Sequence, residues 1–550
     1  MGSAKTYIFS IDALPYFMLQ DFLAQNKLPN FQKLEKLGLS CAGMSAPGPD
    51  TTTPPAHAAL ICGCHAKDHG IYSFEEPLIE NGVIHPWKKR YGFDSFRLKA
   101  EPLWVKFLQA GKSTALLHFP LSTPIEAFTS AKKFGADFSD RITVIESFSQ
   151  RFTPEIVRKD VDSDDMFKLR LSDKTKVPLP RRAPKSSEAS VFKEKSGGLW
   201  RMRFASENSL EPDLHFLCAF SGVQSNRPEI AAEYLEQVGP FIASAAAYSY
   251  SNDKLGPRIF KGGNGLAEKR LMMSMELMAS HFYNAIKFVI EKISPDTGFF
   301  YFNCIDLCLH LWMAYLDKSS PAYSQKTFDA VWPIVNMVFE WADKMVGLLL
   351  ETTGPEDLLV VMSDHGMAPI DSIFYPNQVL ADAGYLVWDE KEEKPVLEKS
   401  SAVYQGSNAG YIVLNLKSRG GMIPDEDAGE WTQKIAAAFE PLLGTILEKI
   451  ELPGINPEIP NLGEIYLIPK YKTTLQEEVE GKILEKDFYG GQHHYWAETE
   501  PMKAIFYVKG RGVPPAKKIG TVSALEFAPT ICALSGIEFP DKARARPLKF

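Results

Sequence analysis

Leu358-Leu359-Val360-Val361-Met362-Ser363-Asp364-His365-Gly366-Met367 is the stretch that decides the fold. A short, continuous apolar run suits a strand buried on both faces, as in a parallel sheet. Two further runs share its shape. Thr6-Tyr7-Ile8-Phe9-Ser10-Ile11 leads to Asp12, and Phe299-Phe300-Tyr301-Phe302-Asn303-Cys304-Ile305 leads to Asp306. Helical patterns lie between or after them: Asn30 to Leu37, the Trp332/Val335/Phe339/Met345 stripe, and Val522 to Leu534. Strands alternating with helices predict an α/β fold, with a central, mainly parallel sheet flanked by helices. Ligands bind such sheets at the carboxyl ends of the strands. An Asp closing three buried strands therefore sets three carboxylates along one edge.

The composition fits a globular enzyme. The 550 residues carry 60 Lys+Arg and 68 Asp+Glu, a net charge of −8, and are 45% hydrophobic and 23% charged. These values exclude a disordered chain or a low-complexity fibre. The acidic balance argues against a partner such as a nucleic acid duplex, which needs a basic face. No run reaches the roughly 18–20 apolar residues of a membrane span. The segment from Ala330 to Leu350 comes nearest, and Pro333, Glu340, Asp343 and Lys344 interrupt it. The N-terminus does not read as a signal peptide, because Asp12 and Pro15 break its apolar stretch. Seven cysteines, scattered from Cys41 to Cys532, read as reduced thiols in the cytoplasm. A leader already removed is compatible with that reading.

The chain divides unevenly. Residues 1–75 and 299–550 carry the core pattern. Residues 76–298 read as core elements plus an inserted cap that recognises the leaving group. Within them Lys174–Lys195, rich in Lys, Arg, Pro and Ser, reads as an exposed loop, and Lys269–Ile290 as a helix.

The strand-end carboxylates have companions. Asp306 is followed at i+4 by His310, so a helix starting there turns both toward one point. Asp364 is followed at once by His365, and Gly490-Gly491-Gln492-His493-His494 stands near the C-terminus. Asp and His ligands suit Zn²⁺ or Mn²⁺, and no Cys pattern points to a closed structural zinc. Taken singly, each of these residues is most simply a cap or a surface group. Together they form a pattern. The last piece is Thr51-Thr52-Thr53-Pro54-Pro55-Ala56-His57-Ala58-Ala59-Leu60, followed by His69-Gly70-Ile71. It reads as a Pro-primed turn into a helix with a hydroxyl at its N-terminus, a place that favours anions. A Thr alkoxide beside a metal can act as a nucleophile. Simple N-capping is the plainer reading of the segment alone.

T-x-P-x-H, H-G-I, D-x-x-x-H, S-D-H-G-M and G-x-H, in that order, resemble the alkaline phosphatase superfamily, and most of all its type I phosphodiesterase/nucleotide pyrophosphatase branch. The resemblance covers roughly residues 5–75, 300–420 and 485–540, with echoes at Asn408–Lys417 and Ala528-Pro529-Thr530. It implies an alkaline phosphatase-like core and two divalent metal ions, zinc above all or manganese. One ion would take Asp306, His310 and His493. The other would take Asp12, Asp364, His365 and the Thr53 oxygen. His494 is the alternative to His493, but the G-x-H spacing favours His493. Two divalent ions then face three carboxylates and one alkoxide, which is close to neutral. Metals about 4 Å apart hold both the attacking and the leaving oxygen of an in-line displacement. The implied reaction is attack by Thr53 on phosphorus, giving a phospho-threonine intermediate that is then hydrolysed.

The resemblance points to a two-metal phosphohydrolase acting on a small-molecule phosphate ester, with a phosphodiesterase preferred and the choice between mono- and diester left open. Its rivals are a phosphomutase, a phosphonate or sulfate ester hydrolase, and a non-catalytic binding protein; no implied metal ligand is missing, which weighs against the last. Sulfatases carry C/S-x-P-x-R, from which Thr53-Pro54-Pro55 departs. Gly111-Lys112-Ser113-Thr114 echoes the tail of a P-loop, but Lys106 stands where that motif needs its first Gly. His65 and His69 lack the Glu of an HExxH motif, and His69 reads as part of a structural turn. Cys62 and Cys64 read as helix packing. Lys88-Lys89-Arg90 and Arg97 read as a solvated face rather than phosphate contacts. Nucleotide pyrophosphatases carry an Asn three residues after H-G-I, and here that position is Phe74. The resemblance therefore implies weak activity on dinucleotides and nucleoside triphosphates, and makes Phe74 a substrate-binding residue: an aromatic wall against an apolar part of the substrate.

Overall fold

The structure is a computed structural model. It describes residues 4–45, 51–124, 127, 138–146, 223–239, 246–406, 410–453, 462–494 and 499–550. Between 147 and 245 it otherwise describes only the backbone of short elements. Among the described residues nine strands form the central sheet: β1 (Thr6–Ile11), β2 (Leu39–Cys41), β3 (Thr114–Leu117), β4 (Ile142–Glu146), β5 (Gln224–Ser225), β6 (Thr297–Phe302), β7 (Leu358–Met362), β8 (Phe506–Lys509) and β9 (Lys517–Ile519). Their order across the sheet is β5-β4-β3-β6-β1-β7-β8-β2-β9. The block from β4 to β7 is parallel throughout, whereas β8 runs antiparallel to its neighbours β7 and β2. The expected mainly parallel sheet is present.

The apolar runs are continuous because both faces of the sheet are covered. In β1, Tyr7, Phe9 and Ile11 enter one core while Ile8 enters the other. In β7, Leu359 and Val361 face the first core, and Leu358, Val360 and Met362 face the second. Helices α2 (Leu266–Phe288), α3 (Cys304–Leu316) and α4 (Gln325–Thr352) supply the first layer, through side chains such as Phe282, Trp312 and Phe339. Helices α1 (Thr53–Cys62) and α5 (Phe527–Ser535) supply the second, through Leu60, Ile61, Phe527 and Ile531.

The structure corrects several boundaries. The run from Phe299 to Ile305 is not one strand: β6 ends at Phe302, and α3 begins at Cys304. Cys304 and Ile305 are apolar because they face the core from the first turn of a helix. Asp306 thus sits in that turn rather than at a strand end. The helix sought from Val522 starts later. Ser523 and Glu526 form a capping box on a 3₁₀ turn, and α5 follows at Phe527. Within the stretch read as a loop, Lys176–Pro180 and Ser190–Lys193 are strands, and the remainder of Lys174–Lys195 lies outside the described residues. The short strands β3 and β4, from the irregular half of the sequence, belong to the central sheet. Among the described residues no helix is long and apolar enough to cross a membrane.

Candidate active site

The carboxyl edge of the parallel strands gathers residues from distant parts of the chain. Asp12 follows β1 directly, and Asp364 and His365 follow β7. Asp306 and His310 lie one turn apart on α3. His493 follows the strand Leu484–Gln492, which pairs antiparallel with Ala368–Phe374. That strand crosses α3 at very close range. A Cβ on Gly491 would lie 2.3 Å from the Leu309 carbonyl oxygen, and one on Gly490 would lie 2.9 Å from that of His310. Glycine at both positions lets His493 reach Asp306.

Two sets result. The ligand atoms of Asp306, His310 and His493 lie within 4.8 Å of one another, and so do those of Asp12, Asp364 and His365. His310 Nε2 is 3.2 Å and His493 Nε2 3.7 Å from Asp306 Oδ1. His365 Nε2 is 3.2 Å from Asp364 Oδ2 and 3.5 Å from Asp12 Oδ1. All three imidazoles are aimed by a backbone carbonyl at their other nitrogen. Nδ1 of His310 donates to Gly491 (2.8 Å), that of His365 to Gly366 (3.0 Å) and that of His493 to Thr51 (3.1 Å). Each bond fixes the proton on Nδ1 and leaves the Nε2 lone pair pointing into the site, as metal-binding histidines require. His494 is buried next to His493 but belongs to neither set.

Thr53 is the first residue of α1 and is buried, with Oγ1 3.4 Å from His365 Nε2. Pro54 and Pro55 follow it and carry no N–H. The helix start keeps its dipole but loses two of the donors it would offer an anion.

Sequence reasoning missed the residues that support this set. His57, inside the T-x-P-x-H motif, is wholly buried one turn after Thr53. Its Nδ1 lies 2.9 Å from the Thr53 carbonyl and 3.2 Å from Asp364 Oδ2, while its Nε2 accepts from Ser10 Oγ at 2.8 Å. Tyr301 donates to Asp12 Oδ2, and the Ala13 amide donates to Asp364 Oδ1 at 3.2 Å. The i, i+4 spacing of Thr53 and His57 was the available signal.

The electrostatics call for cations. Burial, then the charges of Asp364 and Asp306, hold the Asp12 carboxyl well above the usual carboxylate range. Burial also pushes Asp364 up, but the imidazoles of His365 and His57 outweigh it and bring it to about 2. Burial, helped by His365 and His310, holds His493 well below the usual imidazole value. Oδ1 of Asp12 and Oδ1 of Asp306 are buried and meet no hydrogen-bond donor among the described residues. Buried carboxylates in this state are stabilised by pairing or by metal coordination. The donor set therefore fits two divalent ions.

Of the basic residues read as a solvated face, Lys88 and Lys89 are exposed, whereas Arg90 and Arg97 are drawn inward. Arg90 and Arg97 both pair with Glu76, whose side chain is fully buried, and Lys89 pairs with Glu75 and Glu477. A buried carboxylate recruits them, because it costs too much to leave unpaired. His69 is buried in a turn, where its Nδ1 accepts from the Ile71 amide at 3.2 Å, and burial lowers its pKa to about 3.

The family model described as type I phosphodiesterase/nucleotide pyrophosphatase matches residues 6–496. No curated protein sequence matches the chain significantly. Among solved structures, murine ectonucleotide pyrophosphatase/phosphodiesterase 5, as an inactive variant in complex with AMP, aligns with a TM-score of 0.50. The alignment covers 99% of this chain and 96% of that one at 14% identity. The human form of the same protein gives a TM-score of 0.49 at 14% identity, over 98% and 96% of the two chains. At such identity the murine likeness is one of fold.

Proposed function

The chain belongs to the type I phosphodiesterase/nucleotide pyrophosphatase family and is a phosphoric ester hydrolase, and from that premise we propose that it cleaves small-molecule phosphodiesters with Thr53 as nucleophile and two divalent metal ions as cofactors. One observation carries the finer reading. Six metal-type donors from four chain segments converge in two sets beside the Thr53 hydroxyl. Asp306, His310 and His493 would hold one ion; Asp12, Asp364, His365 and Thr53 Oγ1 would hold the other. Bound there, the ions, zinc or manganese by the donor chemistry, lower the pKa of the Thr53 hydroxyl and neutralise the phosphate oxygens.

The chain's own residues do the rest. Thr53 Oγ1 attacks phosphorus as the bond to the leaving alcohol breaks, the Thr53 hydroxyl proton ends on that alcohol, and a phospho-threonine that keeps the second ester group forms. Water then releases the product from Thr53. His57 ties the first turn of α1 to Asp364, so nucleophile and ligand keep their spacing. A cytoplasmic setting is supported by the described cysteines, all six free and buried.

A panel of p-nitrophenyl mono- and diesters, run with metal analysis in ¹⁸O-water, tests the reading. Diester turnover with one solvent oxygen in the product is expected. Phosphoryl transfer to a second hydroxyl without solvent oxygen would replace it with the phosphomutase reading. A metal-replete protein that cleaves neither ester class would overturn it.

A further inference from the structure

The antiparallel hairpin Glu75–Glu80/Val83–Tyr91 leaves an aromatic group in the open. Phe74 is 40% and Tyr91 64% exposed. Phe93 holds Phe74 edge to face at 5.4 Å, and Tyr91 meets it the same way at 6.4 Å. Exposed rings in one cluster mark a surface that meets a ligand. This cluster stands beside the nucleophile. The Gly92 amide donates to the Phe74 carbonyl at 2.9 Å, and Gly92 packs so tightly on Pro54 that an added Cβ would lie 3.0 Å from the Pro54 ring. Pro54 is bonded directly to Thr53.

The support beneath the cluster is rigid. Glu76 accepts from the amides of Tyr72 (2.7 Å) and Ser73 (3.3 Å), and Arg90 and Arg97 neutralise it. The turn that ends at Phe74 is therefore tied down before any substrate arrives, which spares the cost of ordering it on binding.

We propose that Phe74, with Tyr91 and Phe93, forms the specificity wall of this site and selects phosphate esters that carry a flat aromatic group on the ester oxygen. The proposal rests on the phosphodiesterase reading above. An aromatic group lies on the exposed ring face of Phe74, while the phosphate reaches Thr53 past Pro54. A short alkyl group leaves the wall wet.

Binding of phosphonates tests this without turnover. Phenylphosphonate and methylphosphonate share the anionic head and differ only in the group offered to the wall. Calorimetry on the metal-loaded protein should show phenylphosphonate binding roughly two- to tenfold tighter, the scale of one aromatic contact. Phe74→Ala should cut that ratio to near one, Phe74→Tyr should restore it, and Tyr91→Ala should lower it partly. Circular dichroism establishes that each variant is folded. Equal affinities in the native protein, or a ratio unchanged in both alanine variants, would overturn the proposal. Binding of neither phosphonate would instead sink the phosphodiesterase reading beneath it.

Discussion

The imidazoles of His365 and His493 lie nearly parallel, their ring centroids 3.9 Å apart, although they belong to different ligand sets. Two protonated rings at that distance would repel strongly. Burial, and then the neighbouring His365 ring, hold His493 well below the usual imidazole value, so its Nε2 lone pair is ready for metal. That arrangement predicts close to two divalent ions per chain after metal loading. His493→Ala should leave about one, because Asp306 and His310 alone make a poor site. His310→Ala and His365→Ala should also lower metal content. Elemental analysis of the three variants checks this, and native stoichiometry in all of them would remove the ligand assignment.

Thr53 separates chemistry from architecture. Its oxygen is one donor among several, so Thr53→Ala should keep the fold and most of the metal. Turnover should fall by more than about a thousandfold, as for a nucleophile that nothing else replaces. Thr53→Ser should retain part of the rate. Near-native turnover in Thr53→Ala would shift the nucleophile to Thr51, Thr52 or water.

Gly491 tests how the His493 strand is placed. A methyl group there meets the Leu309 carbonyl oxygen at 2.3 Å, a contact that backbone must relieve. Gly491→Ala should cost roughly 1–3 kcal/mol of stability, typical of overpacking. It should also move His493 from Asp306 and lower metal content, although no ligand is altered. Denaturant melts together with metal analysis decide the point.

What was legible in the sequence was local. β1 and β7 announced themselves because strands buried on both faces need unbroken apolar residues, and Asp12, Asp364 and His365 come immediately after them. Asp306 was misplaced because Cys304 and Ile305 continue the apolar run into α3, where the core demands the same residue types. β3 and β4 are only four and five residues long and leave little periodic signal. The spacing of His57 from Thr53 is a local signal, but its other partner, Asp364, and the Leu309 partner of Gly491 lie far along the chain, where no local pattern encodes them. Glu76 is the clearest case. Nothing in Glu75-Glu76 says which carboxylate is buried, so Arg90 and Arg97 looked solvated.

Glu146 gives the last prediction. It ends β4, is fully buried, and accepts a hydrogen bond from Ser122. Burial raises its pKa from 4.5 to about 8, because the bond from Ser122 only partly offsets the lost hydration. The folded protein then holds this proton more tightly than the unfolded chain. Unfolding between about pH 4.5 and 8 releases it, so stability falls as pH rises through that window. The contribution is complete below pH 4.5 and is lost above pH 8. Each unit of displacement is worth about 1.4 kcal/mol, so the total reaches several kcal/mol. Glu146→Gln keeps the shape and cannot ionise. Its midpoint in urea should change less with pH than that of the native protein, and at pH 8.5 the variant should be the more stable of the two. Buried acids elsewhere affect both proteins alike, so the difference between the two curves isolates Glu146. Parallel curves from pH 5 to pH 8.5 would show that Glu146 is ionised in the folded state and that a partner offsets its burial.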